Sequence, residues 1–284
     1  MAEPFAPVRL DRHSVAVVIP ALNEALRIRE VVEGALVHCD RVIVIDDGSD
    51  DDTVARIADL PVTLLRHERR MGKGASLRDG FRAALRAGVV AVVTMDGDGQ
   101  HAAEDIPRLL DAGNRHPGSI VIGARLRKRV NQPLYRRLAN EFGDWGIGWG
   151  CGLRIADTQS GQRLYPGAVA ALDDVPGEDF VYEAQILISA VRRVGAGVVS
   201  VPIESRYAQV HAQAPDDEAP KFRASHFRPL RDLWRITSHV VRQVWQHGDV
   251  VREYLHTRAT PPVIDDPTGE FGTVFAEPDM QRAG

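Results

Sequence analysis

Cysteine is scarce in this 284-residue chain: Cys39 and Cys151 stand alone, without paired spacing. That excludes a disulfide scaffold and a cysteine-built zinc site, and it fits a reducing cytoplasm. Long apolar runs are missing too. No stretch approaches the roughly 20 apolar residues of a spanning helix, and residues Met1 to Arg12 carry no apolar signal-peptide core. The expectation is a cytoplasmic protein, soluble or held peripherally on the inner face of a membrane. No charge sign dominates, because 35 Lys and Arg against 39 Asp and Glu leave a net charge of −4, so no nucleic-acid partner is expected. There is no internal repeat and no Gly-x-x-x-x-Gly-Lys-Ser/Thr phosphate loop. What is present is an ordinary globular composition, 44% apolar and 26% charged, with material for one large α/β domain or two small ones.

Short runs rich in Val and Ile recur at Val15 to Ile19, Arg41 to Ile45, Val62 to Leu65, Val89 to Met95 and Ile120 to Ile122. Such runs suit parallel strands covered on both faces. Amphipathic stretches lie between them. One carries Ile28, Val31, Val32, Ala35 and Leu36 behind Asn23 as an N-cap; another carries Leu77, Phe81 and Leu85 on one face. The alternation predicts a Rossmann-like doubly wound α/β sheet, mostly parallel, with helices on both faces. Residues 133–150 read as an aromatic helix and 180–194 as another, with a strand at 198–203. The organisation expected is an N-terminal extension (1–14), a main domain (15–207), a mobile loop rich in Ala, Gln, Asp and Pro (208–224), an amphipathic helical region (225–255) and a disordered tail from His256.

Polar segments fall where strands end, which is where ligands bind in sheets of this kind. The most informative is Asp96-Gly97-Asp98-Gly99-Gln100. Its carboxylate and amide oxygens suit Mg²⁺ or Mn²⁺, which take few protein ligands and complete their shell with substrate phosphates. A nucleotide diphosphate would provide those phosphates, although an acidic turn has the same composition. In Asp46-Asp47-Gly48-Ser49-Asp50-Asp51-Asp52-Thr53, Asp47 is assigned to ligand contact and Asp50 to Thr53 to capping the next helix. Arg69-Arg70-Met71-Gly72-Lys73-Gly74 joins glycines that admit a phosphate to a lysine that could neutralise it, or it is a solvated basic loop. Arg125, Arg136 and Arg137 could hold a phosphorylated substrate through their forked donors. From Ser225 to Val250, Phe227, Leu230, Trp234 and Trp245 oppose Arg228, Arg231, Arg235 and Arg242. Such a helix lies in a lipid interface or docks on its own domain.

The order Pro20-Ala21-Leu22-Asn23-Glu24, Ile45-Asp46-Asp47-Gly48-Ser49, Gly72-Lys73-Gly74, Asp96-Gly97-Asp98-Gly99-Gln100-His101 resembles inverting family 2 glycosyltransferases of the GT-A fold. Within them, Gly123-Ala124-Arg125, the segment Asp157 to Tyr165 and Val201-Pro202-Ile203 resemble the dolichol-phosphate mannosyltransferase and polyprenyl-phosphate sugar synthase branch. The resemblance implies that Pro20, Leu22, Glu24, Ile45 and Asp47 line a nucleoside pocket, with Leu22 where the family usually has Tyr. It implies Asp96, Asp98 and Gln100 at the metal, with Lys73, Asp96, Gly97, Asp98 and Arg206 toward the donor diphosphate. Arg125 and Arg136 match arginines that hold the acceptor phosphate, so Asp98, Arg125 and Arg136 form the expected catalytic set. Where the branch has Ser-Lys, this chain has Ser225-His226, a titratable group in place of a fixed cation.

The function expected is transfer of a hexose from a GDP- or UDP-sugar to a polyprenyl phosphate at the membrane surface. An ionised lipid phosphate needs no base, whereas a hydroxyl acceptor would, and Glu178, Asp179 or Glu183 would then provide it. Other readings of the same residues are a nucleotidyltransferase and a non-catalytic nucleotide-sugar-binding protein.

Overall fold

The computed structural model describes residues 8–126, 134–177 and 179–203, together with 255, 257, 259–267 and 269; the side chains of 134–142 and 179–180 lie outside it. In chain order the elements are β1 (Val15–Ala21), α1 (Ile28–His38), β2 (Val42–Asp46), β3 (Thr63–Arg66), α2 (Lys73–Arg86), β4 (Ala91–Thr94), α3 (Ile106–Arg115), β5 (Ile120–Ala124), α4 (Leu134–Cys151), β6 (Arg163–Pro166), a short α5 (Gly167–Ala170), α6 (Asp179–Val194) and β7 (Val198–Pro202). Seven strands form one sheet in the order β3-β2-β1-β4-β6-β5-β7. Each neighbouring pair is parallel except those made by β6, which runs antiparallel between β4 and β5.

Four of the five apolar runs become strands covered on both faces; the fifth, at the sheet's edge, becomes β3 and is largely exposed. Val18, Ile43, Ile45 and Val92 face Leu77 and Phe81 of α2, Ile147 of α4 and Tyr182 and Leu187 of α6. Their alternates Val17, Ile19, Val44 and Val93 face Ile28 and Val32 of α1 and Ile106 and Leu109 of α3. This two-sided burial is the doubly wound arrangement expected from the alternating pattern. The strand β6 and the helix α3 were not among the expected elements. Pairing of Thr94 with Arg163 and of Ile122 with the same residue starts β6 at the edge where β4 and β5 end. The irregular segment before it, 157–162, is thereby carried to the ligand edge.

Two expectations need correction. Asn23 does not cap α1, which begins at Ile28 behind Arg27 without a side-chain cap; Asn23 sits instead at φ 58° in a turn. The tail is not wholly without structure either, since Ser200 forms a parallel bridge with Ile264. Two backbone hydrogen bonds, from Ser200 N–H to Val263 O and from Asp265 N–H to Ser200 O, make that bridge. Arg206, the loop 208–224 and residues 225–254 of the amphipathic region lie outside the described residues.

Helix α2 comes close to the sheet at Gly80, where a methyl group would collide with Val18 and sit 2.8 Å from Ile45 Cδ1. Gly146 on α4 faces open space. Gly80→Ala is therefore expected to destabilise the fold by about 1–3 kcal/mol through overpacking, and Gly146→Ala to stabilise it by up to about 1 kcal/mol through helix propensity. Chemical denaturation of the two variants, showing opposite signs, checks this.

Candidate active site

The cleft lies beyond the carboxyl ends of β1, β2, β4 and β5, and hydrogen bonds between loops shape its first wall. Asn23 N–H donates to Ser49 Oγ (2.8 Å), Glu24 N–H to Thr53 Oγ1 (2.7 Å) and Asp50 N–H to Asn23 Oδ1 (2.9 Å). These bonds zip the loop after β1 to the loop after β2. Asp51 takes part as well, accepting from Thr53 N–H at 2.9 Å and Ala25 N–H at 3.2 Å. The expected helix capping by Asp50 to Thr53 is thus replaced by loop buttressing, because the next element is only a 3-10 turn at Ala55–Ile57 with no side-chain cap.

Asp47 builds the second wall. Its carboxylate accepts from Met71 N–H (2.7 Å) and Gly72 N–H (2.8 Å) and contacts His67 Nδ1 at 2.7 Å. The basic loop is drawn in over Gly48, whose φ is 78° and where a Cβ would lie 2.8 Å from the Arg69 carbonyl carbon. Asp47 accordingly shapes the loop that presents Lys73, and its carboxylate is already engaged. Ile45 is fully buried in the core under α2, so its side chain does not line the cleft as the resemblance implies. A strand residue one position before the edge points into the sheet's covered face. Pro20, Leu22 and Glu24 are half-buried at the β1 edge, and Gly97 packs so closely there that a Cβ would be 3.3 Å from Pro20 O.

Charges converge at the floor. Lys73 Nζ lies 2.7 Å from Asp96 Oδ1 and 3.2 Å from Glu183 Oε1, joining the start of α2 to the end of β4 and to α6. Burial opposes the ammonium charge, yet Asp96 and Glu183 more than offset it and raise the lysine's pKa. Burial likewise opposes the charge on Asp96, but Lys73 and His101 hold its carboxyl below the usual range. Asp98 is the opposite case: burial, then the charge of Asp96, push it up to about 6. Its Oδ1 accepts Gln100 N–H at 3.0 Å, which closes the turn through Gly99 at φ 76°. His101 is buried and its pKa falls to about 4; Asp96 N–H donates to its Nδ1 at 3.3 Å, so the neutral ring carries its proton on Nε2.

Arg125 closes the far side. Asp157 Oδ2 accepts its N–H (2.9 Å) and Nε–H (2.8 Å), and Oδ1 accepts Nη2–H (2.9 Å). The guanidinium charge acts on Asp96, Asp98 and His101, which ties this fork to the acidic floor. Beneath it Arg163, 1% exposed, donates to Ser160 O (2.7 Å), Thr158 O (2.6 Å), Glu183 O (3.0 Å) and Tyr165 Oη (3.1 Å). One buried cation thus pins segment 157–162 to α6. Gly161 is required where it passes Asp96, since a Cβ would lie 2.6 Å from Oδ2.

Of the residues assigned from the sequence, Lys73, Asp96, Asp98 and Arg125 are brought together. Arg136 lies on α4 with its side chain outside the described residues, and the whole of Arg206 lies outside them. Asp157 and Arg163 carry no role of their own in the sequence reading, since the four-residue strand that Arg163 opens has no local pattern to mark it. Among the described residues no cluster of three or more His, Cys, Asp or Glu side chains could hold a metal ion. Asp96 and Asp98, with the Gln100 amide nearby, nonetheless fit a hard cation that takes most of its oxygens from a bound phosphate group.

The model of Glycosyl transferase family 2 matches residues 16–167, a span that holds most of these side chains. Polyprenol monophosphomannose synthase of Mycolicibacterium smegmatis is 31% identical over 208 residues, covering 66% of this chain and 75% of that protein. Undecaprenyl-phosphate mannosyltransferase of Micrococcus luteus is 30% identical over 207 residues, covering 66% of this chain and 82% of that protein. Among solved structures, glucosyl-3-phosphoglycerate synthase of Mycobacterium tuberculosis in complex with Mn²⁺, UDP and phosphoglyceric acid superposes with a TM-score of 0.57 at 23% identity, covering 84% of this chain and 79% of that one. That likeness establishes a shared GT-A fold.

The two carboxylates should affect stability with opposite signs. Asp98, with its folded pKa raised from 3.8 to about 6, carries a charge penalty that is complete above about pH 6 and gone below 3.8. Asp96, with its folded pKa lowered, stabilises the fold above the unfolded value and loses that contribution as pH falls. At pH 7.5 Asp98→Asn is expected to raise the stability of the metal-free protein by about 2 kcal/mol and Asp96→Asn to lower it by a similar amount. At pH 4 the Asp98→Asn gain should have largely disappeared. Urea titrations at the two pH values test both signs.

Proposed function

The chain belongs to glycosyl transferase family 2, and from that premise we propose that it transfers a hexose from a nucleotide-diphosphate sugar to a polyprenyl phosphate at a membrane surface, with inversion at the anomeric carbon. The observation that carries this reading is the juxtaposition of the Lys73–Asp96–Asp98 floor with the Arg125–Asp157 fork. One half suits a pyrophosphate and its cation, and the other an anionic acceptor. The names of the similar proteins, which act on polyprenol and undecaprenyl phosphates, support the acceptor class.

In this mechanism an acceptor phosphate oxygen forms a bond to the anomeric carbon as the bond from that carbon to the diphosphate oxygen breaks. The nucleoside diphosphate leaves with the electron pair. No proton has to be removed from an ionised phosphate, so positioning and charge neutralisation do most of the work. Arg125, fixed by Asp157, holds the acceptor oxygen in line. Lys73 is placed to move from Asp96 toward the diphosphate as charge develops there. Asp96 and Asp98, with Gln100, would hold Mg²⁺ or Mn²⁺, which supplies further neutralisation of the leaving group. Pro20, Leu22 and Glu24 border the nucleoside end, with Gly97 admitting close approach. No helix among the described residues is long and apolar enough to cross a membrane; contact with lipid is assigned to the arginine- and tryptophan-bearing segment 225–250.

A second reading, a hydroxyl acceptor, is favoured by one observation. Glu183 reaches the floor with its side chain only 10% exposed and paired with Lys73, where a base could sit. Incubation with labelled UDP- and GDP-sugars, polyprenyl phosphate and Mn²⁺ is expected to yield a labelled lipid, and failure with every donor removes the proposal. Asp98→Ala and Arg125→Ala should each lower transfer by about 10²-fold or more. Glu183→Gln separates the acceptors: turnover collapses with donor binding intact if a hydroxyl is activated, and changes little if a phosphate attacks.

A further inference from the structure

The strand β7 forms an edge of the sheet, and the C-terminal residues come back to it. Ser200 N–H donates to Val263 O and Asp265 N–H donates to Ser200 O, both at 2.9 Å. A single bridge of two backbone bonds holds a chain weakly; the anchor is the next side chain. The Asp265 side chain, 7% exposed, accepts Arg115 Nε–H and Nη2–H, both at 2.9 Å, and contacts His116 Nε2 at 3.0 Å. A bidentate guanidinium–carboxylate pair of this kind fixes direction as well as distance. It ties residues 263–265 to the end of α3.

Between these attachments Ile264 packs against Ala124, Leu126 and Ala156, a small apolar cluster separate from the two large cores. Two of these residues flank Arg125 and the third precedes Asp157. Ser200 reaches the same place from the other side, its Oγ donating to Ala156 O at 3.2 Å. Arg125 and Asp157 lock each other, but their mutual bonds do not fix the pair relative to the cleft. Asp157 stands at φ 54°, a left-handed conformation that a residue with a side chain keeps only when its surroundings impose it. The cluster supplies that floor, and Ile264 closes it from outside.

We infer that residues Val263 to Asp265 are a strap that sets the position of the Arg125–Asp157 fork, which makes Ile264 and Asp265 positioning residues for the acceptor. The inference rests on the reading of Arg125 as the acceptor-phosphate ligand. A strap that merely covered a sheet edge would affect stability evenly; one that sets the fork affects the acceptor side alone.

The test uses the full chain with Asp265→Ala, Ile264→Ala and Asp265→Glu. In the first two, KM for polyprenyl phosphate is expected to rise about ten-fold with KM for the sugar donor unchanged, as for a small misplacement of a positioning group. Asp265→Glu, which keeps the carboxylate, should recover part of the loss. Hydrogen exchange gives a second readout: amides of 124–126 and 156–158 should exchange faster in Asp265→Ala, with those of β1 and β2 unchanged. Unaltered acceptor KM, or a uniform fall in kcat and Tm with faster exchange throughout, overturns the strap. If the unaltered protein transfers to no polyprenyl phosphate, the functional reading fails by itself. Exchange at 124–126 then decides the strap, and unchanged protection there overturns it.

Discussion

A buried ammonium shared by two carboxylates is the constraint on which the rest of the site depends. Lys73 opens α2, Asp96 follows β4 and Glu183 lies in the second turn of α6, so the bridge joins three parts of the chain. Without that cation, two carboxylates and the neighbouring Asp98 would stand in a poorly solvated cleft, and their repulsion would open it or protonate it. Asp98 shows the residual strain, with a carboxyl displaced toward neutrality by burial and by Asp96. A site in that condition has unsatisfied negative charge to offer a further cation. The loop geometry held by Asp47 meets the same need, since it sets where Lys73 enters α2.

The second organising feature is the reversed strand β6. A sheet of six strands running one way would present only strand-to-helix loops at its ligand edge. Inserting β6 antiparallel between β4 and β5 brings a chain segment in from that edge, and with it Asp157, Thr158 and Gly161. Arg163 then fixes the segment through carbonyl acceptors on the segment itself and on α6. The acidic floor and the arginine fork meet because β4 and β5, though not adjacent, are joined through this strand. Family membership and the GT-A likeness agree with that topology.

Much of this was legible in residue order. Val/Ile runs bounded by polar turns marked β1, β2, β4, β5 and β7 to within a few residues, because two-sided burial leaves a continuous apolar signature. Asp96, Asp98 and Arg125 stood out as polar groups at strand ends. Other parts were not legible. Asn23 has the composition of a helix cap and became a bridge between loops, since its partners, Ser49 and Asp50, are remote in sequence. Ile45 belongs to a motif at the cleft, but the alternation of the strand turns its side chain into the core. Strand β6 is short, opens with an arginine and ends with a proline, so nothing local distinguishes it from a loop. The docking of Ile264 and Asp265 depends on an edge strand and a helix end far earlier in the chain.

Taken alone, the sequence determined the layered α/β architecture and the chemical character of the ligand edge, because periodic burial and strand-end polarity are local properties. Tertiary structure alone decided which charges neutralise one another: Lys73 with Asp96 and Glu183, Arg125 with Asp157, Asp265 with Arg115. Those pairings depend on distances between elements, and electrostatic energy falls with separation in space, not along the chain.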